Sequence, residues 1–225
     1  MKLICKSLIA TVYFYLFIFG IETTVYANTE EDIGKKVDEY ISRYVKIKQF
    51  NGCILIARNG QILVKKGFGM ANYEHNIPNE PKIKFRLASL TKQFTAIAIL
   101  QLEEKGLLDV NDTLSKYIPD YPRSNEIKLY HLLTHTSGIP DHAELDDFNK
   151  ERRAFHYDIK ETISKFKNKQ LEFSPGEKFK YSNSGYILLG YIIEKVTGEL
   201  YEKYIELSIL KPLNMNNSGY ELFEI

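Results

Sequence analysis

The feature that most constrains the fold is a nearly unbroken apolar stretch, residues 94–102, which follows a short polar run. Apolar residues on almost every side predict a helix buried in a protein core. Lys105 and Gly106 predict its end, because a basic last turn and a following glycine terminate helices. The chain is therefore expected to build a packed domain around this helix.

Ser89 and Lys92 stand at the start of the apolar helix. Because residues i and i+3 are neighbours on a helix, the hydroxyl and the amine share one face. A serine hydroxyl needs a base within hydrogen-bond reach, and a desolvated lysine amine can be that base. Free N–H groups and the helix dipole favour negative charge that develops near the N-terminus. Ser89 is therefore a candidate nucleophile.

The Ser-x-x-Lys spacing does not decide this assignment, because it recurs at Ser164 to Lys167 and at Ser208 to Lys211. Residues 160–169 contain four lysines, which is typical of a solvated helix face. The alternative for Ser89 is an ordinary N-cap serine with a lysine one turn away by coincidence.

A second candidate group, Tyr181-Ser182-Asn183, precedes another apolar stretch at 186–193. A tyrosine beside a lysine can take up and return a proton, and an asparagine can both donate and accept hydrogen bonds. The alternative is a helix cap formed by Ser182 or Asn183, with Tyr181 as a hydrophobic staple. Tyr-x-Asn also occurs at residues 26–28, so this pattern alone is weak.

Six segments occur in a fixed order along the chain: 67–75, 85–95, 106–112, 131–139 (His-Leu-Leu-Thr-His-Thr-Ser-Gly-Ile), 179–186 (Phe-Lys-Tyr-Ser-Asn-Ser-Gly-Tyr) and 212–215. Together they resemble the serine β-lactamase and penicillin-recognising hydrolase superfamily, in its class C β-lactamase-like branch. That branch includes D-alanyl-D-alanine carboxypeptidase-like proteins, D-aminopeptidases and esterases. The resemblance extends from about Glu30 to the C-terminus.

The resemblance implies a role for each candidate residue. Ser89 matches the acylated nucleophile, and Lys92 matches its general base or proton shuttle. Tyr181 matches the catalytic tyrosine, and Asn183 matches the substrate-orienting residue. The implied reaction is acyl transfer from amide, ester or lactam carbonyls, as in a β-lactamase, carboxypeptidase or esterase, without a metal or other cofactor. The implied fold is α/β (α+β): an antiparallel sheet flanked by helices, plus a mainly helical subdomain.

The sequence departs from the family pattern because it contains no Lys-Thr-Gly or His-x-Gly third motif. We therefore expect residues 28–225 to be the N-terminal two-thirds of a β-lactamase-like domain, with its C-terminal strands missing. A short form that completes its sheet through an oligomer or a second chain is the alternative. The competing function is that of an inactive homologue that at most binds a partner.

The N-terminus predicts a signal peptide over residues 1–27. Lys2 and Lys6 precede an uncharged run at 7–21, and Val25-Tyr26-Ala27 offers a cleavage site. The expected location is outside the cytoplasm of a bacterium, either periplasmic or secreted, with an uncleaved anchor as the alternative. Membrane contact is expected only through this segment.

The charge balance excludes long-range attraction to nucleic acid. Removing the first 27 residues takes away two lysines and one glutamate and so leaves 28 basic and 28 acidic residues. Cys53 would be the only cysteine of the mature chain, so no intrachain disulfide follows from the sequence. The expected partner is a small-molecule or peptidoglycan-like substrate.

Periodicity supplies the remaining elements. An amphipathic helix is predicted from Glu30 to Lys48. Two strands are predicted at Asn51–Ala57 and Gln61–Val64, the first of them buried, with a type I′ turn at Asn59-Gly60. His131 and His135 have the i, i+4 spacing of a zinc site, but without an accompanying glutamate a structural role is preferred.

Overall fold

The computed structural model describes residues 32–145 and 158–221, which divide after Phe85 into two compact units. The predicted signal peptide, residues 1–27, lies outside the described residues. Within the described ranges, no helix is long and apolar enough to cross a membrane.

Over residues 32–85, the first unit consists of a helix and two antiparallel pairs of strands. Helix α1 covers residues 32–46 of the described chain. Strand β1 (Gly52–Arg58) pairs with β2 (Gln61–Phe68), and β3 (Met70–Asn72) pairs with β4 (Ile77–Pro78). Between β1 and β2, Asn59 and Gly60 both adopt positive φ, at 52° and 79°. This is the backbone that a type I′ turn requires, so the predicted hairpin is confirmed.

The prediction that β1 is a buried strand is wrong. Leu55 on β1 is 59% exposed, and Ile62 on β2 is 53% exposed. Cys53 is half-buried, with its thiol donating to the Glu80 carbonyl at 3.1 Å. The physical reason is the small sheet: among the described residues, β1 has β2 as its single strand neighbour, and a two-stranded ribbon buries little apolar surface.

The second unit is mainly helical. Its helices are α2 (Thr91–Glu104), α3 (Leu129–Leu133), α4 (Ile159–Phe166), α5 (Asn183–Thr197) and α6 (Tyr201–Ile205), the last continuing into a π-helical turn at Glu206–Leu210. Among the described residues, 3-10 turns accompany them at Ala88–Leu90, Leu114–Lys116 and His142–Glu144.

Helices α2 and α5 pack together at the centre of the second unit. Ile99 and Leu102 of α2 and Leu188 of α5 are fully buried in the same core cluster. The prediction that α2 is buried on almost every side is wrong, because Ile97 and Leu100 are 43% and 51% exposed. A straight helix turns only part of its circumference toward one partner, and these two residues lie outside that part.

Candidate active site

Ser89 lies in the 3-10 turn that leads directly into α2, and its side chain is exposed. The preceding residue, Ala88, has φ of +47°, a left-handed conformation that a non-glycine residue adopts at a cost of about 1–3 kcal/mol. The Thr91 N–H reaches back to the carbonyls of Ala88 and Ser89 and closes the turn. The serine is thus presented from a tight, strained bend rather than from a regular helix.

Lys92 brings its ammonium group to Ser89 and to a second helix. Its Nζ donates to Ser89 Oγ at 3.4 Å and to the Asn183 side-chain oxygen at 2.6 Å. The same nitrogen lies 4.7 Å from the centre of the Tyr181 ring and 5.5 Å from that of Tyr186. Half-buried on the first turn of α2, Lys92 links the serine to the start of α5.

Tyr181 completes the contact with the serine. Its hydroxyl donates to Ser89 Oγ at 2.7 Å, a short hydrogen bond. Burial raises the pKa of the Tyr181 phenol, but the interactions with the Lys92 ammonium and the Ser89 hydroxyl lower it by more. The net pKa therefore lies below the ordinary value of 10.0, which favours a phenol that can give up its proton.

Asn183 is the first residue of α5, and a buried carboxylate holds its amide in one orientation. The Asn183 side-chain nitrogen donates to Asp141 Oδ2 at 2.8 Å, while its oxygen accepts from Lys92. Asp141 is only 6% exposed. Because a carboxylate accepts but cannot donate, this contact keeps the Asn183 oxygen directed at the ammonium.

Further hydrogen bonds tie the loop that carries Asp141 to α5. Ser184, fully buried, donates from its hydroxyl to the Pro140 carbonyl at 2.8 Å and accepts the His142 N–H at 2.8 Å. The Asp141 side chain also accepts the Ala143 N–H at 3.1 Å. Asp141 is therefore fixed from both sides.

The structure brings together all four residues that the sequence predicts for the site: Ser89, Lys92, Tyr181 and Asn183. Sequence analysis missed Asp141. The available signal was its position, an acidic residue directly after Pro140 and next to the segment 131–139 that carries the family resemblance.

The helix-cap alternative for the second motif does not describe the observed contacts. Ser182 occupies the N-cap position of α5, but its hydroxyl makes no capping hydrogen bond and is buried without a partner among the described residues. Asn183 uses its side chain for Lys92 and Asp141 rather than for the helix end.

The other Ser-x-x-Lys pairs make unrelated contacts. Ser164 donates to the Glu161 carbonyl within its own helix, and Lys167 pairs with Asp120. Lys211 pairs with Glu206 at 2.8 Å. Structural context therefore separates Ser89 from its two sequence counterparts.

His131 and His135 serve two different backbone groups. Nδ1 of the buried His131 accepts the Lys128 N–H at 3.1 Å at the start of α3. Nδ1 of His135 accepts the Ser182 N–H at 3.2 Å beside the candidate site. Among the described residues, no group of three or more histidine, cysteine or acidic side chains is arranged to hold a metal ion.

Comparison with known proteins places the chain in a family. A sequence model named Beta-lactamase matches residues 37–224. The chain belongs to the β-lactamase family. The β-lactamase-like resemblance noted in the sequence is therefore confirmed, and so is the expected α/β class of fold.

Several β-lactamase-family relatives support this placement. The Bacillus subtilis protein PbpX is 42% identical over 194 residues, which cover 85% of this chain and 47% of PbpX. The crystal structure of a penicillin binding protein from Bacillus halodurans matches with a TM-score of 0.72 and 33% identity, over 82% of this chain and 58% of that one. A D-amino acid amidase from Ochrobactrum anthropi SV3 matches with a TM-score of 0.61 and 26% identity, over 72% and 44%.

The chain thus spans about half the length of the β-lactamase-family relatives it matches. The family model's match over residues 37–224 includes all of the site side chains described above.

Proposed function

We propose that this protein is a serine hydrolase that works through an acyl-enzyme on Ser89. The observation that carries the proposal is the convergence on one oxygen: Ser89 Oγ lies 2.7 Å from the Tyr181 hydroxyl and 3.4 Å from Lys92 Nζ. The Tyr181 distance lies within the range of about 2.6–3.2 Å over which a side chain takes a proton from a nucleophile, and the Lys92 contact is somewhat longer. The relatives, which include a D-amino acid amidase, support the same class of chemistry.

The proposed first step is acylation. Ser89 Oγ attacks the carbonyl carbon while its proton passes to Tyr181, which has first given up its own proton and is held as the phenolate by the Lys92 ammonium. The bond to the leaving nitrogen or oxygen then breaks, and that atom receives the proton. The Ser89 N–H, at the start of the turn into α2, stabilises the oxyanion. In the second step water attacks the Ser89 ester, the acid departs, and the serine recovers its proton.

We propose that Asn183, besides holding Lys92, also orients the substrate. Its amide is exposed in part and carries one oxygen lone pair and one N–H beyond the contacts to Lys92 and Asp141. The proposed substrates are lactams, amides of D-amino-acid peptides, and esters, all of which present a carbonyl to Ser89.

The second candidate is a homologue that binds such ligands without turnover. Residues 1–225 contain no Lys-Thr-Gly or His-x-Gly sequence. In the family this motif supplies part of the oxyanion site, and losing one oxyanion donor costs about 10²–10³ in rate.

Covalent labelling tests the proposed function. The purified chain is incubated with a fluorescent penicillin and, separately, with an activated p-nitrophenyl ester, and adducts are measured by intact mass. We expect one adduct per chain that disappears in Ser89→Ala. Ser164→Ala, which alters the equivalent serine of another Ser-x-x-Lys pair, is the matched control and keeps the adduct. An adduct that survives Ser89→Ala, or none with either reagent, contradicts the proposal.

We also propose that the protein is exported and cleaved after Ala27. The support is the pattern of residues 1–27, a basic start followed by an apolar run and small residues. Expression of the full chain in a bacterium should yield a product whose N-terminal residue is Asn28. A product that retains residues 1–27 contradicts cleavage.

A further inference from the structure

His135 contacts the backbone on both sides of Tyr181. Its carbonyl accepts the Lys180 N–H at 2.9 Å, and its ring Nδ1 accepts the Ser182 N–H at 3.2 Å. Between these two hydrogen bonds, the His135 ring lies on the Tyr181 ring, with centroids 4.4 Å apart and planes 31° from parallel. The segment 180–182 is therefore held at three points by a single residue.

We propose that His135 is the positioning residue for Tyr181, and that its neutral imidazole keeps the phenol on Ser89 Oγ. This role rests on the proposed function, because it concerns the residue that transfers the serine proton. His135 does not itself contact Ser89 among the hydrogen bonds described above. It acts by fixing where the Tyr181 backbone and ring lie.

Neighbouring rings keep the imidazole in place. The Tyr186 ring lies 5.1 Å from the His135 ring at 31°, and its hydroxyl donates to the Leu133 carbonyl at 3.0 Å. Phe179 approaches the imidazole edge-on at 5.9 Å. Because Tyr186 is hydrogen-bonded to the end of α3, its ring restricts the movement of the imidazole that contacts Tyr181.

The Ser182 contact fixes the charge state in which His135 can work. Nδ1 can accept an N–H only while it carries no proton, so the proton of the neutral ring is on Nε2. The charged or titratable groups around the ring are Lys92 from α2, Asp141 from the loop after α3, and the phenols of Tyr181 and Tyr186. Burial and then the Lys92 charge lower the pKa of His135 below its ordinary value.

Two substitutions separate the two contacts of the side chain. His135→Phe keeps a ring for stacking but removes the acceptor. His135→Asn removes the ring but keeps an oxygen acceptor, and asparagine tolerates the φ of +57° found at this position. His131 offers the matched controls, because its Nδ1 also accepts a backbone N–H but lies at the start of α3, away from Tyr181.

The first measurement is the acylation rate constant, followed by intact mass between pH 5 and 8. We expect His135→Phe to react about tenfold more slowly than wild type at pH 7.5, the effect of losing one hydrogen bond. His135→Asn keeps an acceptor but loses the ring contact with Tyr181, and it should be slowed by a similar factor. The ratio of wild-type to His135→Phe rates should shrink toward one as pH falls, because protonated wild-type His135 releases the Ser182 N–H. His131→Phe and His131→Asn should match the wild-type rate at every pH.

The second measurement does not depend on activity. Long-range nitrogen–proton NMR of histidine-labelled protein reports the tautomer of each ring, and His135→Asn assigns the signal. An Nε2–H tautomer for His135 at pH 7.5 is expected. An Nδ1–H tautomer, or a His135→Phe variant with the wild-type rate and pH profile, overturns the proposal. A wild type that is never acylated refutes the proposed function instead, and the tautomer then still decides whether His135 holds the segment.

Discussion

At the scale of single residues, hydrogen bonds connect Asp141 through Asn183 and Lys92 to the serine oxygen. The same oxygen also accepts a hydrogen bond from Tyr181. Sequence order pointed to Ser89, Lys92, Tyr181 and Asn183 as candidates, because each belongs to a short motif whose neighbours are also typical of the family. Asp141 was missed, because its position beside the segment 131–139 does not by itself indicate a role. Its importance comes from a contact with Asn183 across 42 positions of chain, which no local pattern contains.

The role of Asp141 leads to a graded prediction. Asp141→Ala leaves the Asn183 amide without its acceptor, so the amide can rotate and present N–H groups to the Lys92 ammonium. Asp141→Asn keeps an oxygen that can accept. We expect the acylation rate of the alanine variant to fall about tenfold below that of the asparagine variant, as for one hydrogen bond. Equal rates in wild type and both variants, compared after circular dichroism confirms folding, would show that Asn183 needs no such partner.

At the scale of elements, periodicity predicted which segments are helices and strands better than it predicted which of their residues are buried. The Asn59-Gly60 hairpin and the end of α2 just before Gly106 follow from local backbone chemistry and are confirmed. The prediction that β1 and the outer side of α2 are buried was wrong. Burial depends on which element packs opposite, and composition along one segment does not contain that information.

Gly138 provides a prediction for the loop that leads to Asp141. Its φ is +75°, and an added Cβ would lie 2.2 Å from the Phe173 carbonyl oxygen. Gly106 has a similar φ of +69°, but an added Cβ there would meet nothing within 4 Å. In both alanine variants the left-handed backbone costs about 1 kcal/mol. The difference between their free energies of unfolding therefore reports the clash alone.

We therefore expect Gly138→Ala to lower the free energy of unfolding by at least about 2 kcal/mol more than Gly106→Ala, and to slow acylation through the displaced Asp141 loop. Urea unfolding of the two variants measures the first effect. If the two alanine substitutions lower the free energy of unfolding equally, the close approach to Phe173 is not a constraint on this loop.

At the scale of the whole molecule, two histidines held in their neutral form make the stability depend on pH. Burial and then the Lys128 charge lower the pKa of His131, and burial and then the Lys92 charge lower that of His135. Below pH 6.5 the unfolded chain therefore binds more protons than the folded one. Stability must fall as the pH drops from 6.5 toward the folded-state pKa values.

We expect the free energy of unfolding to decrease between pH 7 and pH 5, with the buried His131 contributing up to about 1.4 kcal/mol per pH unit. His131→Asn should flatten this dependence, whereas His75→Asn, at an exposed position, should leave it unchanged. Urea titrations at several pH values provide the measurement. A stability that rises on acidification in this range would contradict neutral burial of the two rings.

The central claim is that a phenol, placed by the fold on the serine oxygen, takes part in removing its proton. The most direct test is the acylation rate constant of Tyr181→Phe, measured by intact mass with the activated ester, beside the control Tyr191→Phe on α5. We predict a loss of about 10²–10⁴ in rate for Tyr181→Phe, the contribution of a general acid–base group, and no change for the control. A Tyr181→Phe variant that acylates Ser89 at the wild-type rate would contradict the account.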